Sequence, residues 1–339
     1  MESKVFVVTV TYGNRFYLLK QVIDSALSEG VYKIIVVDNN SEPESRNRLK
    51  EYEKSLNGKI EVLYFEDNYG SAVGFKRGLQ VAYNEPECEF IWLLDDDNKP
   101  MSGSLKILLD FWASLEIENK EEKIALLSYR FKKGQLAKKA IIQNKPDLVL
   151  GPKNSFLGFH IKELHKKIYI YLKKIFKSKN NKIEQKSDKK FGIVPVAPYG
   201  GLFIHKNLLN KIGYPNEKFY LYADDHEWSY RITKIGGKIY LILDSKIDDL
   251  ELSWHVPKSI KETGFYIIST GDPVRVYYSI RNRLFFEINN LVDTKMIYWI
   301  NILVYLLLIY FSSKKNIKII LRAIKDGYKG NLGKVEELK

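Results

Sequence analysis

Phe90-Ile91-Trp92-Leu93-Leu94 runs directly into Asp95-Asp96-Asp97, and this stretch decides both the fold class and the chemistry of the chain. The apolar part is typical of a buried strand in a parallel sheet, because such strands are covered on both faces. Side chains alternate along a strand, so we expect Asp95 and Asp97 on one side and Asp96 on the other. Carboxylates at a strand end suit a hard cation such as Mg²⁺ or Mn²⁺, but an acidic turn before the next helix would read the same way.

The residues before this strand alternate apolar strands with helical repeats. Polar residues stand where the strands end, namely Thr11, Asp38 and the three aspartates. In a doubly wound sheet the ligand lies outside the carboxyl ends of the strands, so these side chains are expected to border one crevice. The pattern predicts an α/β fold with a mostly parallel, Rossmann-like sheet. The predicted strands are 5–10, 33–37, 60–65 and 90–94, and the predicted helices are 16–27, 44–56 and 72–83.

The composition is that of a globular protein in a reducing compartment. The chain has 339 residues, 45% of them apolar, which is enough for one large or two modest domains. Its single cysteine, Cys88, excludes an internal disulfide. The first apolar run, 5–10, is too short for the core of a signal peptide, so we expect a cytoplasmic protein.

The formal charge of +13 is concentrated in one lysine-rich stretch. Residues 153–190 contain twelve Lys against three acidic residues, which indicates an anionic partner, either acidic lipid head groups or nucleic acid. No nucleic-acid-binding motif accompanies the lysines, so nucleic acid is not expected. Residues 160–177 could form a basic amphipathic helix on a membrane surface, or else a solvated helix or a disordered insertion.

A second membrane signal is the apolar stretch 296–311, which is interrupted only by Asn301. It falls short of the ~20 residues that span a bilayer, so an interfacial or buried helix is favoured over a spanning one. Lys314 and Lys315 follow it directly. We therefore expect residues 266–339 to form a C-terminal helical extension that associates with an anionic membrane surface, peripherally on the inner face of the plasma membrane.

A second acidic group, Asp224-Asp225-His226-Glu227-Trp228, lies 127 residues beyond the first. Chemistry that displaces a diphosphate from a sugar needs a metal at the leaving group and a separate carboxylate that takes the proton of the attacking hydroxyl. The two acidic groups could supply both. The alternative for the second group is a helix N-terminus with a surface ion pair between Glu227 and Arg231.

Two further residues are candidates for the same chemistry. His255 stands between an apolar stretch and Pro257, where a neutral imidazole could be a third metal ligand or an ordinary structural histidine. Arg281 belongs to a basic, aromatic patch with Arg275 and Arg283. Arginine forks match phosphate geometry, but arginines also pair with surface acids.

Four short segments, 8–15, 36–41, 68–70 and 95–97, together resemble glycosyltransferase family 2. Their order and spacing cover residues 4 to about 110, and the second half adds Gly200-Gly201-Leu202-Phe203 and the acidic group 224–228. The resemblance implies a GT-A fold and inverting transfer of a sugar from a nucleotide diphosphate. It also implies a catalytic domain over 1–265, with a donor half at about 1–110, a basic insert at about 153–190 and an acceptor half at about 191–265.

The resemblance assigns roles to individual positions. Asp225 is implied as the catalytic base, and Asp95, Asp97 and His255 as ligands of Mn²⁺ or Mg²⁺. The donor-binding residues implied are Thr11, Asp38, Asn68, Gly70, Asp96 and Arg281, and the acceptor-binding residues are Gly200, Gly201, Asp224, Glu227 and Trp228.

Segments 254–257 and 277–283 look like the galactofuranosyltransferase branch of the family, and rhamnosyltransferases share much of the pattern. The resemblance thus implies UDP-galactofuranose as donor, with dTDP-rhamnose as the alternative. The implied acceptor is a hydroxyl of a lipid-linked or growing cell-surface polysaccharide. A membrane-bound protein that binds sugar or nucleotide without catalysis remains the alternative from another class.

Overall fold

The computed structural model describes residues 3–164, 188–251, 264–336 and 338. The chain divides into two compact units. The first comprises Met1–Val149, Lys190–Trp254 and Leu332–Val335, and the second comprises Leu150–Lys189, His255–Asn331 and Glu336–Lys339. Within the lysine-rich stretch 153–190, the described residues 153–164 and 188–189 group with the second unit. The expected insert in the first domain stays a prediction.

The first unit is built on a single mixed sheet. Strands β1, β2, β3 and β4 run parallel to one another, and β6 is parallel to β9, while β8 pairs antiparallel with β4 and β6, and β5 and β7 pair antiparallel with β9. The order across the sheet is β3-β2-β1-β4-β8-β6-β9-β5, with β7 also on β9. The strands are β1 Val5–Gly13, β2 Lys33–Ser41, β3 Ile60–Tyr64, β4 Phe90–Asp95, β5 Asn98–Pro100, β6 Ile124–Arg130, β7 Phe191–Val194, β8 Leu202–His205 and β9 Lys238–Asp249.

Helices of the first unit cover both faces of this sheet, so its central strands are apolar on both sides. Along β1, Phe6 and Val8 face one core while Val5 and Val7 face the other. The predicted strands and helices up to residue 94 are confirmed, as is the α/β, GT-A-like fold class. The helices are α1 Phe16–Ser28, α2 Pro43–Ser55, α3 Ser71–Asn84, α4 Ser104–Ala113, α5 Gln135–Ile142, α6 Leu209–Ile212 and α7 Asp224–Lys234.

The second unit is helical in its described part. It contains α8 Gly264–Thr270, α9 Pro273–Asn290, α10 Lys295–Ser312 and α11 Ile317–Lys329. Helix α9 carries a buried ion pair between Arg283 and Glu287, and the hydroxyl of Tyr298 donates to Glu287 over 2.9 Å. By length and composition α10 could cross a membrane, with a mean hydropathy of 1.6 and 28% of its residues buried. The amphipathic helix expected at 160–177 lies mostly outside the described residues.

Candidate active site

The carboxyl ends of β4, β6 and β9 bring together three carboxylates and two cations. Arg130 ends β6 and bridges Asp95 and Asp249, with Nη1 3.2 Å from Asp95 and Nη2 2.5 Å from Asp249. Lys133 bridges Asp97 and Asp249 in the same way, over 3.2 and 3.3 Å. All five groups are buried or partly buried, so their charges interact more strongly than surface pairs do. We call these five residues the acidic cluster.

The acidic cluster has one carboxyl group more than it has cations. Burial raises the pKa of Asp95 to about 7, although the positive charge of Arg130 opposes the shift. The side-chain amide of Asn98 donates to Asp97 over 2.9 Å and to Asp249 over 3.1 Å. The other carboxylate oxygen of Asp249, Oδ2, is buried and has no hydrogen-bond partner among the described residues. Such an unsatisfied oxygen is costly unless another cation or donor binds there.

Asp96 points away from the acidic cluster and toward β1. Its carboxylate accepts two hydrogen bonds of 2.8 Å from Arg15 and one of 2.9 Å from the hydroxyl of Thr11. The partners of Asp95 and Asp97 lie on the other side, as the alternation of a strand requires. Thr11 and Asp96 therefore meet, but each is already bonded to the other.

The ends of β2 and β3 form a polar loop beside this strand edge. The side chain of Asn39 donates to Asn68 Oδ1 and to the carbonyl of Gly70, both over 3.1 Å, and accepts from the backbone of Tyr69 over 2.9 Å. Gly70 has φ +85°, and a Cβ there would lie 2.1 Å from the carbonyl oxygen of Tyr220. Only glycine fits this position, which begins α3.

Asp38 is in a different situation from its neighbours in this loop. Its carboxylate has no exposed surface and accepts from the backbone of Ser41 over 2.8 Å and from Arg46 over 2.5 Å. These bonds fix the carboxyl end of β2, and the expected role of Asp38 as a donor contact stays a prediction.

The second acidic group begins helix α7. Asp224 is buried and accepts from the hydroxyl of Ser71, the first residue of α3, over 2.8 Å. Burial, and then the charge of Asp225, raise the pKa of Asp224 to about 7. Asp225 is partly exposed and accepts from the backbone of His226 over 2.7 Å. The chain enters this helix through left-handed backbone at Ala223, φ +58°, a conformation that costs free energy in non-glycine residues.

Two consecutive residues connect the acidic cluster with the second acidic group. Tyr199 is buried, and its ring centroid lies 5.8 Å from that of Trp228, the last residue of the second acidic group. At the next residue, Gly200, a Cβ would lie 2.7 Å from Asp95 Oδ2. Consecutive Cα atoms are ~3.8 Å apart, so both acidic groups border the same short piece of chain.

The Gly200-Gly201 pair is required by close packing. A Cβ at Gly200 would lie 1.8 Å from the side-chain oxygen of Asn98, and Gly201 has φ +99°. The N–H of Gly201 donates to Leu93 on β4, and its carbonyl accepts from Ser128 on β6. The two glycines therefore hold the ends of β4 and β6 together at the acidic cluster.

Two residues expected to contact the acceptor have internal partners instead. Trp228 has no exposed surface, and its indole N–H donates to the carbonyl of Gly213 over 2.8 Å. Glu227 forms two hydrogen bonds with Arg231, of 2.9 and 2.6 Å, as the alternative sequence interpretation predicted. Trp228 packs in the core and Glu227 supports the helix, while their expected roles at the acceptor stay predictions.

Two predicted site residues remain, Arg281 and His255. Arg281 lies in the second unit with no exposed surface, donates to Asn282 over 2.8 Å and stands 4.7 Å above the ring of Tyr278. Its expected role as a diphosphate contact stays a prediction. His255 lies outside the described residues, so the expected third metal ligand cannot be placed.

Sequence reasoning missed Arg130, Lys133 and Asp249. The same signal that found the aspartates was available, because Arg130 follows the apolar run 124–129 and Asp249 ends another strand. In a sheet where β6 and β9 are parallel, their carboxyl ends meet.

The acidic cluster offers oxygen ligands for part of a divalent-cation site. Among the described residues no three His, Cys, Asp or Glu side chains are arranged to hold a metal ion. Asp95 and Asp97 nevertheless offer oxygen atoms on one side of a strand end, and the unsatisfied Oδ2 of Asp249 lies in the same cluster. Oxygen ligands with open positions suit Mg²⁺ or Mn²⁺, so the residues present fit part of such a site.

Comparison with known proteins points to one family for the first part of the chain. Residues 6–119 match the model of Glycosyl transferase family 2. A Bacillus subtilis (strain 168) protein described as the teichuronic acid biosynthesis glycosyltransferase TuaG is 31% identical over 109 residues, which are 32% of this chain and 41% of the relative. The chain thus spans about two fifths of the length of that relative.

One solved structure supports the fold over more of the chain, and a second is reported beside it. GalNAc-T7, solved with UDP, GalNAc and Mn²⁺, has a TM-score of 0.51 at 14% identity, over 81% of this chain and 50% of that one. The mannosyltransferase PcManGT of Pyrobaculum calidifontis, in complex with GDP-Man and Mn²⁺, has a TM-score of 0.49 at 12% identity, over 96% and 87%. At 14% identity, the similarity to GalNAc-T7 shows the fold alone.

Proposed function

We propose that the protein is an inverting glycosyltransferase that moves a sugar from a nucleotide diphosphate to a hydroxyl group. The observation that carries this proposal is the Tyr199-Gly200 connection: Tyr199 packs against Trp228 of α7, the helix that carries the partly exposed Asp225, and Gly200 lies against Asp95 of the acidic cluster. The family match over residues 6–119 supports the same reaction.

Asp225 is the proposed general base. It takes the proton of the acceptor hydroxyl while the oxygen attacks the anomeric carbon from the face opposite the diphosphate, and the bond from that carbon to the diphosphate breaks. Its neighbour Asp224 is buried against Ser71 and cannot reach an acceptor. The two carboxylates therefore have different tasks, with Asp224 fixing the start of α7 against α3.

The acidic cluster is the proposed site of the donor diphosphate. Arg130 and Lys133 are held there by Asp249, and their positive charges oppose the negative charge that grows on the leaving group. Asp95 and Asp97 would hold Mn²⁺ or Mg²⁺, whose binding supplies Lewis-acid stabilisation of the same charge. His255 remains a proposed third ligand. Thr11, Asn68, Gly70 and Asp96 remain proposed donor contacts.

The test is release of nucleotide diphosphate from a panel of nucleotide sugars, with and without EDTA. We expect one donor to be hydrolysed slowly without acceptor, and the rate to depend on added Mn²⁺ or Mg²⁺. Binding of every donor without any turnover, even with acceptor extracts, would favour the non-catalytic binding protein. Donor binding with full activity in EDTA would overturn the metal assignment alone.

The donor sugar is proposed from the resemblance of segments 254–257 and 277–283. UDP-galactofuranose is the first donor to test and dTDP-rhamnose the second. The proposed acceptor is a lipid-linked or growing cell-surface polysaccharide, which agrees with the teichuronic acid context of the Bacillus subtilis relative. We propose that the reaction takes place in the cytoplasm, at the inner face of the plasma membrane.

A further inference from the structure

One face of helix α10 exposes a continuous apolar stripe. At 3.6 residues per turn its members fall within an arc of roughly 120°, and the stripe is about 22 Å long. Their exposed fractions run from 37% for Trp299 to 82% for Phe311. Exposed apolar patches of this extent mark interaction sites. The residues of this α10 stripe are Met296, Trp299, Ile300, Leu303, Leu307, Tyr310 and Phe311.

The opposite face of α10 is fixed to the rest of the second unit by polar contacts. The side chain of Asn301 donates to the carbonyl of Asn154 over 2.7 Å and accepts from the backbone of Ile161 over 2.9 Å. Tyr298, on the same face, donates to the buried Glu287. A helix with protein along one whole side and apolar side chains along the other is suited to lie in the plane of a membrane surface.

Helix α11 adds a row of cations beside the stripe. Lys318, Arg322, Lys325 and Lys329 are exposed and fall on one side of the helix, while the other side packs inside the unit. The ring of Tyr328 on α11 contacts Trp299 of the α10 stripe, with centroids 5.2 Å apart. The apolar stripe and the basic row are therefore neighbours. We call the four cations the α11 row.

The charge of the chain is divided very unequally between the two units. The second unit has 24 Lys and Arg against 10 Asp and Glu, a formal charge of +14, whereas the first has 30 against 31, a charge of −1. A second copy of this unit would bring like charges together around an apolar contact. An anionic bilayer offers both the apolar phase and the opposite charge.

We propose that the α10 stripe and the α11 row form one surface that lies flat in the head-group region of a bilayer containing anionic phospholipid. Apolar side chains enter the acyl boundary while the lysines and arginine contact phosphate groups. These residues would make the contact with the membrane at the proposed peripheral location. Membrane binding by this surface does not depend on the transfer reaction, because it is measured without a sugar donor.

The first experiment is sedimentation of the full chain with vesicles of pure phosphatidylcholine, or with one third replaced by phosphatidylglycerol. We expect binding to the anionic vesicles only, with release at about 1 M salt, where the Debye length is ~3 Å. The triple change Lys318→Gln, Lys325→Gln, Lys329→Gln should weaken binding roughly 100-fold, since each cation near such a surface contributes about fivefold. Its charge-matched control changes Lys54, Lys59 and Lys145 of the first unit to Gln.

The apolar contribution is tested by Leu307→Glu, with Leu136→Glu as its control. Leu307 is 50% exposed on α10, and Leu136 is 52% exposed in the first unit. We expect Leu307→Glu to weaken binding at least tenfold, because burial of a leucine is lost and a charge opposes insertion. Far-ultraviolet circular dichroism should show that both variants stay folded. Equal binding by both would overturn the proposal.

Orientation is tested by Met296→Trp and Phe311→Trp, each made in a Trp299→Phe background and read as the quenching by brominated lipids above that of the background alone. A helix in the membrane plane places both tryptophans at the same depth, which is the expected result. A spanning helix would separate them by ~22 Å, and this result would overturn the proposal. So would a stable dimer in light scattering that Leu307→Glu dissociates, since the stripe would then bind a second copy.

Discussion

The substitution Asp249→Asn tests how much the buried ion pairs of the acidic cluster stabilise the first unit. Asp249 is fully buried, and its Oδ1 accepts from Arg130 Nε over 2.8 Å and Nη2 over 2.5 Å, with Lys133 3.3 Å away. Removing one partner of a buried pair costs ~3–5 kcal/mol. Arg130 keeps Asp95 and Lys133 keeps Asp97, each at 3.2 Å, so we expect the low end, about 3 kcal/mol.

The assay is unfolding in urea, followed by circular dichroism. With a dependence of roughly 2 kcal/mol per molar urea, the midpoint should fall by about 1.5 M. Asp110→Asn is the matched control, because Asp110 pairs with Lys106 at the surface, where the side chains are 64% and 78% exposed. Such a pair contributes about 0.5 kcal/mol or less. A midpoint for Asp249→Asn equal to that of the control would refute the reasoning.

Four further predictions concern the reaction and the fold. Asp225→Asn should lower kcat by two or more orders of magnitude and leave donor affinity unchanged, because a general base acts in the transition state. Stopped-assay kinetics with titrated donor measure both quantities, and an unchanged kcat would contradict the prediction. Asp224 has a folded pKa of about 7, raised from 3.8, so the folded state keeps a proton that the unfolded state loses, and stability should fall as pH rises from about 4 to about 7. Urea midpoints at both ends of that range should converge in Asp224→Asn, and an unchanged difference would contradict the assignment. Gly200→Ala should cost roughly 1–3 kcal/mol, because its Cβ would meet Asn98 at 1.8 Å; an unchanged thermal midpoint would count against the packing. Asp97→Asn should weaken Mn²⁺ binding at least tenfold in calorimetry, with Asp110→Asn as control, and equal affinities would exclude Asp97 as a ligand.

The parts of the fold that the sequence predicts are those that local pattern determines. Strands such as 90–94 are continuous apolar runs, and a parallel sheet puts their carboxyl ends on one edge, so Asp95 to Asp97 could be placed beside Thr11 in advance. The antiparallel entry of β8 between β4 and β6 could not be predicted this way. It depends on pairing between segments far apart in the chain, which leaves little local trace.

The sequence analysis did not separate the buried from the exposed side chains within helix α7. In α7, Asp224 and Trp228 are four residues apart and share the buried face, whereas Asp225 lies one residue further round and is partly exposed. The resemblance treated 224–228 as one functional group and implied Trp228 as an acceptor contact, which stays a prediction. Helical periodicity applied to the same five residues would have separated the buried pair from the partly exposed Asp225.

The division of charge between the units also bears on how the donor is neutralised. A nucleotide diphosphate sugar is an anion, yet the first unit, which carries the acidic cluster, has a formal charge of −1. No general positive field of that unit can attract the donor, so neutralisation has to be local. Arg130 and Lys133 provide two positive charges against three carboxyl groups, of which Asp95 has a pKa raised to about 7. The cluster therefore has no surplus of positive charge for the proposed diphosphate, and a divalent cation bound with the donor would supply one. The charge count of the site itself therefore favours metal-assisted binding of the donor.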